Sequence, residues 1–139
     1  MKKLLSVILA ALMLISFAAC GNGKTSTDAQ IAAGDSAQVT EIGEGQLSFS
    51  FKAVDADGNT KSYKVSTDKK TVGEALVDAE LISGENGAYG LYVKTVAGVT
   101  YDYNEDGKYW AFYVNGELSP TGVDMTDAAE GAMYEFRAE

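Results

Sequence analysis

The chain has 139 residues, with 20 acids against 11 bases, no histidine and one cysteine, giving a formal net charge of −9. Those counts exclude an intrachain disulfide, a cysteine metal cluster and every histidine-based acid–base pair, nucleophilic triad or metal site. They also argue against nucleic acid as a partner, because phosphate contacts need clustered Lys and Arg.

Lys2 and Lys3 precede an apolar run from Leu4 to Phe17, interrupted only by Ser6 and Ser16. Roughly 14 residues are too few for a membrane span, which takes about 20, and fit a signal h-region. Phe17-Ala18-Ala19-Cys20 resembles the lipobox of bacterial lipoproteins, with Phe17 where Leu is usual. The resemblance implies a signal peptide over residues 1–20, cleavage before Cys20 and a thioether-linked lipid on its sulfur. The chain would then be lipid-anchored at the cell membrane, facing outside the cytoplasm. Cleavage removes two of the 11 bases and no acid, leaving nine bases against 20 acids, a net charge of −11. The plain reading of that charge is solubility.

Residues 21–45 are rich in Gly, Ser, Thr, Asp and Ala and hold no aromatic residue. Such a composition buries too little surface to offset its ordering entropy. It reads as a flexible tether with a reach on the order of 25–30 Å. Residues 46–139 then form one small domain.

Leu47, Phe49, Phe51 and Ala53 alternate with Ser48, Ser50 and Lys52, the pattern of a half-buried strand. Asp55 to Asn59 is turn chemistry, and Tyr63 and Val65 return as the second strand of a hairpin. Thr71-Val72-Gly73-Glu74 predicts a capping box, with the Thr71 hydroxyl accepting from the third helical N–H and Glu74 reaching back. Val72, Ala75, Leu76, Ala79 and Ile82 recur at helical spacing, and Ser83-Gly84 is the expected stop. A Gly-rich loop follows, then a strand from Leu91 to Val96, a turn at Gly98 and a short strand or extended segment from Val99 to Tyr103.

Asp102 to Gly107 matches the first half of a D-x-N-x-D-G calcium loop. Its twelfth position is Tyr113, where a bidentate carboxylate is needed, so an acidic β-turn is the preferred reading. Asp102, Asn104 and Asp106 are the weak metal candidates. Lys108 to Glu117 carries the only tryptophan and ends in Asn115-Gly116, the pair suited to a tight hairpin turn. It reads as a central strand, with Trp110, Phe112 and Val114 on one face and Tyr109, Ala111 and Tyr113 on the other. Thr126 to Glu130 suggests one helical turn, and Ala132 to Glu139 the closing strand. The expected architecture is α+β: a β-grasp-like mixed sheet with one packed helix in the order ββαβββ, with a small α+β roll as the alternative.

Thr71-Val72-Gly73-Glu74-Ala75-Leu76, Tyr89-Gly90-Leu91-Tyr92-Val93 and Tyr109-Trp110 through Asn115-Gly116-Glu117 resemble, in order and spacing, the transcobalamin C-terminal-like (DUF4430) domain of bacterial proteins. Gly122-Val123-Asp124, Glu130-Gly131 and the strand with Tyr134, Phe136 and Arg137 fit as well. The resemblance spans roughly Leu47 to Glu139 and implies an exported β-grasp-like domain. In transcobalamins the related domain closes over one face of a bound corrinoid while an α-helical barrel holds the rest, so the resemblance makes cobalamin or another corrinoid a candidate ligand.

Carboxylates are scattered through turns and no Gly-rich phosphate loop is present, so no enzyme is expected. The remaining resource is aromatic, since Tyr and Trp combine flat contact area with a polar handle. Tyr89, Tyr92, Tyr109, Trp110 and Tyr113, with Asn115 and Gly116 at the turn, are the candidate ligand-binding residues. Two readings follow. One is a membrane-anchored extracytoplasmic module that binds a corrinoid or another flat small molecule. The other is a protein-interaction or adhesion-type module that docks a transporter or surface protein and has no small ligand of its own.

Overall fold

The computed structural model describes residues 38–139. The expected signal peptide, Cys20 and the tether as far as residue 37 lie outside the described residues. Nine strands are described: β1 (Val39–Ile42), β2 (Leu47–Val54), β3 (Thr60–Thr67), β4 (Ile82–Gly87), β5 (Gly90–Val96), β6 (Val99–Thr100), β7 (Trp110–Val114), β8 (Glu117–Leu118) and β9 (Met133–Ala138). Helix α1 (Val72–Asp78) crosses between β3 and β4, α2 (Tyr103–Asp106) is a single turn, and Val123–Met125 forms a 3-10 turn.

The protein is α+β, as expected, but its strands make two sheets. The larger has the order β1-β3-β2-β9-β7-β8, and the smaller is β4-β5-β6. β2 pairs antiparallel with β3 and parallel with β9, so the first hairpin and the last strand meet in the middle of the large sheet. One core joins the two sheets and the helix: Phe49, Phe51, Val65, Phe112, Tyr134 and Phe136 from the large sheet, Val72, Ala75 and Leu76 from α1, and Val93 and Val96 from the small sheet. Phe49 meets Tyr134 edge-on, with ring centres 5.0 Å apart.

Helix α1 starts as its sequence predicts. Thr71 Oγ1 accepts from the Glu74 N–H at 3.2 Å, and Glu74 Oε2 accepts from the Thr71 N–H at 3.4 Å. It stops earlier than expected, at the cap residue Ala79, because Glu80 turns left-handed at φ 56°. Ile82 is therefore the first residue of β4, and Ser83-Gly84 is strand rather than stop. Ile82 is buried in either conformation, so its spacing could not separate the two. The expected Gly-rich loop is likewise the outer strand and tip of the β4–β5 hairpin.

Four further expectations change. Val39–Ile42, read as the end of the tether, is a strand that pairs parallel with β3, an interaction set by its neighbour and not by its own short sequence. The strand holding Trp110 lies one place from the sheet edge; β2 and β9 are central. Asp102 to Gly107 is a helical turn, because Asp102 caps the Asn104 N–H at 2.9 Å and Gly107 closes it at φ 64°. The helical turn expected over Thr126 to Glu130 falls instead on Val123–Met125, and Thr126 is its C-cap.

Candidate functional site

The candidate aromatic residues do not converge. Trp110 faces the core, only 7 % exposed, with its indole N–H donating to the Val99 carbonyl at 3.2 Å and its ring 5.1 Å from that of Tyr101. It therefore ties the small sheet to the large one and is withdrawn from solvent. Asn115 and Gly116 take left-handed conformations at φ 49° and 88°, as a two-residue hairpin turn requires. Asn115 Oδ1 also accepts from the Met133 N–H at 3.0 Å, which ties the turn to β9. These three candidates each have a structural role. Tyr89, 95 % exposed, sits at the β4–β5 tip, and Tyr92 is half-exposed on β5.

Tyr109 and Tyr113 remain on the outer face of the large sheet. Tyr109 is 43 % exposed and meets the Tyr103 ring edge-on at 6.3 Å. The Arg137 guanidinium lies 4.4 Å from the Tyr113 ring centre. Tyr113 pairs in register with Glu135, and Lys52 pairs with Glu135 from the other side. Arg137 grips the buried Glu135 carboxylate, with Nη2 donating to Oε2 at 3.3 Å, and this bond raises the Arg137 pKa above its ordinary value. The Tyr113 hydroxyl donates to Glu139 Oε1 at 2.8 Å, and that bond, followed by burial, raises the phenol pKa. The result is a polar face with rings and one guanidinium plane held in place by an ion pair and a hydrogen bond.

The acidic turn does not make a metal cage. Asp102 Oδ2 is 2.9 Å from the Lys94 ammonium, which holds the Asp102 carboxyl below its ordinary pKa. Asp106 Oδ2 accepts the Asp102 N–H at 2.9 Å. Among the described residues no group of three or more His, Cys, Asp or Glu side chains could hold a metal ion.

Sequence reasoning missed Asp124. The segment from Gly122 to Asp127 lies along the start of α1, where the Val72 N–H donates to the Thr126 carbonyl at 2.9 Å. It sets Asp124 beside a groove of about 380 Å³ between α1 and the β4–β5 hairpin, lined also by Gly73, Glu74, Val77, Asn86 and Leu91. Asp124 Oδ2 accepts from the Leu91 N–H at 3.1 Å, while Oδ1 is buried with no protein partner among the described residues. A Cβ on Gly73 would lie 2.6 Å from Asp124 Cα, and one on Gly90 would lie 2.5 Å from Oδ2. A glycine inside a helix is unfavourable by about 1 kcal/mol relative to alanine. Gly73 within a capped helix was thus the legible sign that another backbone passes close by.

The comparisons agree with this architecture. The sequence matches no curated protein. A crystal structure of a Ruminococcus gnavus protein for which metal binding has been suggested aligns over 68 % of this chain and 97 % of its own, at 28 % identity and a TM-score of 0.64. Haptocorrin in complex with Cbi aligns over 67 % of this chain at 19 % identity and a TM-score of 0.56, a likeness of fold. The chain spans 25 % of haptocorrin. The profile of DUF4430, a domain of unknown function, matches residues 69–135, from the approach to α1 into β9. Over residues 69–135 the chain is thus similar to the DUF4430 family.

Proposed function

We propose that this chain is a non-catalytic binding module, held on the outer side of the cell membrane by lipid on Cys20, that takes a flat small molecule on the outer face of its large sheet. The observation that carries the reading is the Tyr113–Arg137 stack beside the Tyr103–Tyr109 pair. Rings and a guanidinium plane on a rigid strand pair suit a planar ligand. Haptocorrin was solved with Cbi, which makes corrinoids the first class to test. A flat face covers one side of such a ligand, so a transporter component or another surface protein is the expected closing partner.

The test is titration of a corrinoid, then of other flat solutes, onto the full chain. Tyr109→Ala and Tyr113→Ala should each weaken binding by several-fold to about tenfold, with unchanged circular dichroism. Binding that is indifferent to both would refute the site. Mass spectrometry of the mature N-terminus decides the anchor: an unmodified Cys20, or cleavage elsewhere, rules it out.

A second reading rests on β4, whose outer edge pairs with no strand among the described residues. An extended segment of a partner protein could add there by strand pairing. A folded chain that binds no flat solute, together with loss of partner capture on Asn86→Pro, would favour it.

A further inference from the structure

The groove beside Asp124 lies on a different part of the fold from the tyrosine face, and the flat-ligand site proposed above does not use it. The Asp124 carboxylate has one oxygen occupied by the Leu91 N–H, while the other is buried without a protein partner among the described residues. A buried acceptor left in that state is unfavourable until a donor reaches it. Its cover is bare backbone: a Cβ on Gly122 would stand 2.9 Å from Oδ1, and one on Gly90 the same distance away. A small shift of the hairpin tip would therefore admit a donor group. Glu74 adds a second carboxylate to the lining, Ser83 and Asn86 add uncharged polar groups, and no lining residue is basic. Val77, 47 % exposed, and Leu91 supply an apolar wall.

We propose that this groove binds a primary ammonium group on a short apolar stem, with Asp124 as counter-charge and Val77 and Leu91 flanking the stem. An ammonium carries three donors and no acceptor, which complements a site of acceptors and acids. An anionic ligand would meet two carboxylates. At about 30 Å³ per water, the groove has room for roughly a dozen water-sized groups, which suits a small amine. The Leu91 N–H ties the hairpin to Asp124, so an occupant of the groove is read at that amide.

The test is an NMR titration of the isotope-labelled full chain with n-butylammonium, with butanol as the neutral match and calcium chloride as an inorganic cation. Butylammonium alone should give saturable shifts at the Gly73, Gly90 and Leu91 amides. Asp124→Asn keeps an acceptor for the Leu91 N–H and should weaken binding by about tenfold or more, the loss expected for a charge-assisted hydrogen bond. Val77→Lys leaves Asp124 in place and presents the groove with its own ammonium; it should compete with the amine even if Asp124→Asn fails to fold. Equal shifts with butanol, the same shifts with calcium alone, no saturable shift, a folded Asp124→Asn that binds as tightly as wild type, or a Val77→Lys that binds unchanged would each overturn the proposal.

Discussion

Replacing Trp110 by alanine separates the two faces of β7 most sharply. Trp110 is buried between the sheets, and its indole N–H holds the Val99 carbonyl of β6. Truncating a buried Trp costs about 3–5 kcal/mol, and the orphaned carbonyl adds about 1 kcal/mol or more. A domain of this size is stable by only about 5–15 kcal/mol. Tyr109 neighbours Trp110 in sequence but points outward, so Tyr109→Ala should stay within about 1 kcal/mol of wild type. With a urea slope of about 1–3 kcal/mol/M, the Trp110→Ala midpoint should fall by about 1–6 M. Far-ultraviolet circular dichroism is the appropriate probe, because Trp110 is the sole tryptophan and its loss removes the indole fluorescence. Equal midpoints for the two variants, or a larger fall for Tyr109→Ala, would invert the face assignment and refute the reasoning.

Leu76→Ala removes a fully buried side chain of α1 and should cost about 2–5 kcal/mol by denaturation. Gly73→Ala ought to gain about 1 kcal/mol from helix propensity. The new Cβ instead meets the Asp124 backbone at 2.6 Å, so the melting temperature should fall. Asp55 and Asp102 sit below their ordinary 3.8, held first by the Asn59 side-chain amide and the Lys94 ammonium respectively. A depressed carboxyl stabilises the fold above its unfolded pKa and loses that stability as pH falls through the folded value. The melting temperature should therefore drop in acid below about pH 4, and less steeply in Asp102→Asn.

What the sequence determined by itself was local. The Thr71–Glu74 capping box, the Asp55–Asn59 turn and the Asn115-Gly116 hairpin were legible because each satisfies its hydrogen bonds within a few residues. Alternation along Leu47 to Ala53 and Tyr134 to Phe136 likewise marked which side chains enter the core, because strand geometry alone sends them to one face. Tertiary structure decided the rest. Whether Ile82 belonged to a helix or a strand, and whether Val39–Ile42 was tether or strand, depended on partner strands distant in the sequence. Tyr109 and Trp110 are adjacent aromatics with equal claim to a binding role; only the packing of β6 over one face of β7 separates a core anchor from an exposed ring. Asp124 looked like one acid among 20, and it acquires its partnerless oxygen only where Gly73, Gly90 and Gly122 bring three backbone segments against it. Burial and non-local pairing belong to the assembled neighbours, so no residue carries them in its own stretch of sequence.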